Sequence, residues 1–208
     1  MATKIQTYAQ LAEDTAKGLT RSLEDWTGFL NTVGRLYKYP YHEQLMIYAQ
    51  RPDARACAEY DLWNNTMNRY VRRGSKGIAL LDTTADIPRL RYVFDVSDTG
   101  GRENSRYPYL WEMKEDYKEP ILDMLKDKYN SEENNLFDAF YKIARNMSRE
   151  YYNNHKMDMG YLIESSFLEE YDEDNLQKAF EDAATVSTAY TLMKRCGLDT
   201  DGYFEHED

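Results

Sequence analysis

Four cations, Arg69, Arg72, Arg73 and Lys76, fall within eight residues, and Gly74 and Gly77 bracket the last of them. Cationic side chains and backbone N–H groups that converge in a glycine-containing turn make an anion site, and spaced cations suit a phosphate backbone. Tyr70 between the arginines and Trp63 upstream add flat apolar faces of the kind on which unpaired bases stack, at roughly 1–3 kcal/mol per base. Taken alone, Trp63 reads first as a core residue; the cation cluster is what a solvated loop explains poorly. Arg51, at the exit of a short helical pattern, extends the charge: residues 35–77 hold 8 Lys+Arg against 4 Asp+Glu. The stretch Tyr60 to Asp82, "YDLWNNTMNRYVRRGSKGIALLD", thus reads as one hairpin-like unit made of an aromatic anchor, a basic turn and an apolar strand.

Other chemistry finds less support. Asp95 and Asp98 in "FDVSD", at a strand end, are the carboxylates best placed for a metal-dependent nuclease. A strand terminator at Asp95 and a turn cap at Asp98 explain both without a metal. There is no P-loop, GxSxG or HExxH motif, and only three histidines. A metal site, a cofactor and an enzymatic activity are therefore not expected. Cys57 and Cys196 stand alone without CxxC spacing, which fits a reducing, cytoplasmic setting better than a disulfide framework. No run approaches the roughly 18 consecutive apolar residues that a membrane span needs.

Charge divides the chain. Residues 1–106 hold 15 Lys+Arg against 13 Asp+Glu, whereas residues 107–208 hold 11 against 24 and carry a net charge of −13. The second half would repel a polyanion and attract a basic protein surface. Its acids concentrate in "SFLEEYDEDN", where Glu169, Glu170, Asp172, Glu173 and Asp174 crowd together, in the Glu132–Glu133 turn and in the C-terminal "DTDGYFEHED". Nineteen tyrosines suit protein interfaces and base stacking alike.

These features need elements to carry them. Residues 4–17 place apolar side chains at helical spacing and Gly18 follows. Ser22 with Glu24 and Asp25 starts a second helix, which Pro40 must end. "YHEQLMIYAQRP" gives a third. After a brief strand at Ala56–Ala58 and a helix capped by Asp61 and running through Met67, periodicity changes: Tyr70–Val71, Ile78–Leu81 and Leu90–Val96 predict an antiparallel sheet of about three strands. "DTGGRENSRYP" reads as a polar loop. From Trp111 onward the pattern is helical, over Pro120–Tyr129, Leu136–Tyr152, Tyr161–Glu170 and Asn175–Cys196, with Asp174 as cap of the last. The predicted architecture is α+β: helices on a small antiparallel sheet over residues 1–110, then an all-helical acidic subdomain over 111–208.

Taken together, "LMIYAQRPDARACAEYDLWNNTMNRYVRRGSKGIALLD" and "RYVFDVSDTGG" resemble the N-terminal domain of the antirestriction protein ArdC and the related modules that open large helicase and methylase-like proteins of integrative conjugative elements. The elements of the match are Gln50–Arg51–Pro52, the Trp63 anchor, "VRRGSKGI" and "VFDVSDTGG", over roughly residues 20–105. The resemblance implies single-stranded DNA binding through Arg69, Arg72, Arg73, Lys76 and Gly77, with Trp63 in support. The HExxH motif of the ArdC protease domain is missing, so no protease activity carries over.

A small, acidic protein resembling an antirestriction module suggests, by class, a counter-defence protein of mobile DNA. Such a protein would bind and inhibit a host nuclease, a restriction enzyme or a CRISPR effector such as Cas9, by presenting acids to its nucleic-acid channel. The competing expectation is a passive single-stranded-DNA-binding module of a conjugative-element protein.

Overall fold

A computed structural model describes residues 3–82, 88–166, 168–201 and 203. The chain is α+β and divides into two compact units, Met1–Trp111 and Glu112–Asp208.

In the first unit, α1 (Lys4–Leu19) opens with a capping box in which the Thr3 hydroxyl accepts from Gln6 N and the Gln6 side chain accepts from Thr3 N. Ser22 caps α2 (Leu23–Arg35) through Asp25 N, and Pro40, with its fixed φ, sets up α3 (Tyr41–Gln50). Strands β1 (Cys57–Glu59), β3 (Ile78–Asp82) and β4 (Arg89–Asp95) form an antiparallel sheet in the order β1-β4-β3. Side chains alternate across it. Ile78, Leu80 and Val93 join Leu36, Met46, Ile47 and Ala54 in the core shared with the helices. Ala79, Tyr92 and Phe94 point to the opposite face. Arg91, paired with Leu80 on the core side, is accommodated by ion pairs to Glu43 of α3 at 2.6 Å and Glu59 of β1 at 3.0 Å. β3 is an edge strand, and the Gln50 amide blunts that edge by donating to Ala79 O (2.8 Å) and accepting from Ala79 N (2.9 Å).

Several sequence expectations change here. Tyr70–Val71 does not belong to the three-stranded sheet: β2 (Arg69–Val71) pairs antiparallel with β5 (Thr99–Gly101) in a second, two-stranded sheet. The stretch Tyr60–Asp82 is therefore not a hairpin, and the Gly100–Gly101 pair of the expected loop is a strand. Gly100 sits opposite Tyr70, whose ring lies across it where any Cβ would collide. The helix expected from Asp61 to Met67 is a single wide turn, Leu62–Thr66, closed by Met67 N donating to Leu62 O, and Asp61 makes no side-chain cap. The brief strand lies one residue later than expected, at Cys57–Glu59.

The second unit is helical. It comprises α4 (Lys118–Tyr129), α5 (Leu136–His155), the short α6 (Met159–Leu162) and α7 (Glu173–Arg195). α5 packs on α7, with Tyr152, Met159 and Leu176 buried together against Phe180. The helix expected over Tyr161–Glu170 ends at Leu162: Ser165 adopts φ 61°, and its N–H is taken by the Glu169 carboxylate. Asp172, not Asp174, caps α7, accepting from Asn175 N. Gly197 at φ 64° closes that helix, with Leu198 N bonded back to Met193 O.

Candidate nucleic-acid interface

The basic turn between β2 and β3 rests on residues 95–99, just after the central strand. Asp95, buried, accepts four hydrogen bonds: from Arg55 N (2.7 Å) and Ala56 N (2.9 Å) at one oxygen, and from Ser97 N (2.9 Å) and Ser97 Oγ (2.6 Å) at the other. Burial alone would raise its pKa, but the Ser97 hydroxyl and the three N–H groups more than offset it and hold the carboxyl below the usual aspartate value. The anchored turn then grips the basic segment at three points. Arg72 N donates to Asp98 O (2.8 Å), the Arg72 guanidinium donates to Ser97 O (2.9 Å), and the Ser75 hydroxyl donates to Asp98 O (3.4 Å), while Ser75 N closes the segment on itself at Arg72 O (3.1 Å). Gly74 at φ 91° supplies the left-handed residue that this tight return needs.

The cations predicted as one cluster separate into two groups. Arg69 is buried: its Nε donates to Thr99 Oγ1 (2.7 Å), and its guanidinium lies 5.1 Å from the Tyr107 ring centre. Arg51 is half-buried and ion-paired with Asp98 at 2.7 Å, while it also donates to Ser97 Oγ at 2.8 Å. Both are girders of the turn rather than free contacts for a polyanion, and Arg72 is partly so. Arg73 and Lys76 are exposed and have neither a hydrogen-bonding nor an ion-pairing partner among the described residues. They are the cations available to a phosphate backbone.

Trp63 does not offer a stacking face. It is 1% exposed, and its Nε1 donates to Phe94 O at 2.9 Å, so it fixes the central strand from within. Tyr70, 44% exposed on Gly100 with the Arg102 guanidinium 5.7 Å from its ring centre, remains on the surface. Sequence reasoning passed over an aromatic face at the end of the basic turn. A Cβ on Gly77 would lie 3.1 Å from Tyr92 Cβ and 3.3 Å from Phe94 Cζ, so both side chains pack on the backbone immediately after Lys76. Tyr92 is 42% exposed. The alternation in "RLRYVFD" carried this signal: with Val93 inside, Tyr92 and Phe94 must share the outer face.

The carboxylates considered for metal-dependent chemistry are committed elsewhere. Asp95 is saturated by donors and Asp98 is paired with Arg51, and no cluster of three or more metal-ligating side chains occurs among the described residues. Burial, then the Asp95 charge, pushes the Cys57 thiol up to about 12, so it stays protonated and weakly nucleophilic at neutral pH.

In the second unit, three of the five acids singled out within "SFLEEYDEDN" have local partners. Glu169 accepts from Ser165 N, Asp172 caps α7, and Glu173 pairs with Lys156. Glu170 and Asp174, in the same segment, are exposed. No helix among the described residues is long and apolar enough to cross a membrane.

Comparison with protein-family models, with curated proteins and with solved structures finds no match to this chain.

Proposed function

We propose that the first unit binds single-stranded nucleic acid, with Arg73 and Lys76 contacting phosphates and Tyr92, next to Phe94, offering a ring to an unpaired base. The observation that carries this reading is the contact across Gly77. It joins a rigidly held turn with two unpaired cations to an exposed aromatic on the outer face of a small antiparallel sheet. An aromatic platform beside a cationic rim is a general solution for holding single strands, because every base has a π-face and every nucleotide a phosphate. The test is fluorescence anisotropy with a labelled oligothymidine and the matching duplex. The reading requires tighter binding of the single strand and a steep fall in affinity with salt; equal binding of duplex, or none of either, removes it.

A second reading assigns the protein to the defence of mobile DNA, as an inhibitor of a host nuclease such as Cas9 or a restriction enzyme. The net charge of −13 over residues 107–208, with Glu170 and Asp174 exposed, favours it. An acidic surface of that kind is drawn to a channel built to hold nucleic acid. Cleavage assays with the protein in molar excess decide it: undiminished cleavage across both enzyme classes removes this reading and leaves the first intact.

A further inference from the structure

The second unit carries a projection with an unusual pairing of properties. Met157, Tyr161 and Leu162 are 93%, 82% and 61% exposed, and the i, i+4 spacing of Met157 and Tyr161 puts them on one side of the turn. Met159, between them, is buried against Tyr152 and Leu176, which fixes the turn and leaves the other three outside. Methionine and tyrosine at such exposure are the residue types enriched at protein interfaces. Around them, residues 156–174 contain seven acids against one lysine, and that lysine, Lys156, is engaged by Glu173. The acids repel nucleic acid and anionic lipid alike, so the complementary surface is a protein face that is apolar at its centre and cationic at its rim.

This chain contains such a face. Tyr92 and Phe94 pack over Gly77, the residue that follows the unpaired Lys76 at the end of the turn that also carries the unpaired Arg73. We propose that the protein self-associates head to tail, the acidic apolar projection of one copy docking on the basic aromatic face of a second copy. Such an interface is heterologous: every open assembly keeps one free projection at one end and one free basic face at the other, so growth continues with concentration unless the rotation closes a ring. The inference stands apart from nucleic-acid binding, because its test contains no nucleic acid.

Sedimentation velocity across a concentration series reads it. In about 50 mM salt the weight-average mass rises with concentration above the 24.6 kDa of one chain, and in about 500 mM salt, where screening shortens to a few ångströms, it falls back. Two variants, each checked for native circular dichroism, isolate the two faces. One carries Met157→Ser, Tyr161→Ser and Leu162→Ser; the other carries Arg73→Glu and Lys76→Glu. All five positions are exposed, so the fold is retained. Each variant alone is monomeric, and an equimolar mixture forms a species of twice the chain mass and no larger, because only one competent pair of faces remains. A wild-type chain that stays monomeric throughout, or variants that fail to pair when mixed, overturns the proposal.

Discussion

Replacing Asp95 by Asn probes the frame on which the basic turn depends. The carboxylate accepts from two backbone N–H groups at one oxygen and from the Ser97 N–H and hydroxyl at the other. An amide can keep its oxygen toward Arg55 N and Ala56 N. Its NH2 then faces Ser97, where the hydroxyl can turn to accept but the N–H is orphaned. An unsatisfied donor costs roughly 1–3 kcal/mol when buried and less in a part-buried bond such as this one, and the surviving bonds lose their charge assistance, so the total is about 1–3 kcal/mol. Trp26, Trp63 and Trp111 are the three tryptophans and all lie in the first unit, so tryptophan fluorescence during urea unfolding of the full chain follows that unit alone. The effect also has a pH signature. Because the folded pKa of Asp95 is depressed, its stabilisation is complete above the unfolded value and disappears as pH falls through the folded one. The gap between wild type and Asp95→Asn should therefore be widest near neutral pH and narrow in acid. A neutral-pH difference below about 0.5 kcal/mol, within the usual range for surface substitutions, would refute the assignment of Asp95 as the frame.

Three further outcomes follow from the same geometry. Tyr92→Ala should weaken oligothymidine binding by about 5- to 150-fold, the equivalent of one lost stacking contact of roughly 1–3 kcal/mol, with little change in urea midpoint; anisotropy titration checks it. Trp63→Phe should lower the stability of the first unit by about 1–3 kcal/mol, by leaving Phe94 O without its donor and shrinking a buried side chain, and thermal melts followed by circular dichroism read it. Cys57 should alkylate with iodoacetamide far more slowly than a free thiol at pH 8, and rapidly only after unfolding in urea, which mass spectrometry of the tryptic peptide resolves.

The parts of the fold legible in the sequence are those with local causes. The Ser22 cap, Pro40 and the apolar period mark the first three helices, and the β-branched and aromatic runs mark β3 and β4. What escaped depends on partners far away in sequence. "DTGG" has the composition of a loop, yet it is a strand because Tyr70, 30 residues earlier, needs a partner without a side chain. Arg51, Arg69 and Arg72 look like one cluster with Arg73 and Lys76 until Ser97, Asp98 and Thr99 claim them. Net local charge says nothing about which cations are already paired. In the acidic segment the period continued past Leu162, but Ser165 turned left-handed and the chain left the helix.

The central claim, that unpaired cations on this turn contact the phosphates of a single strand, is tested most directly by the salt dependence of oligothymidine binding in Arg73→Ala with Lys76→Ala. Each phosphate contact on a single strand contributes about 0.7 to the slope of log affinity against log salt, so losing two flattens the slope by about 1.4. Affinity at about 50 mM salt falls, and the gap to wild type shrinks by about 7-fold as salt rises to about 200 mM. A double variant with the wild-type slope and affinity would contradict the claim.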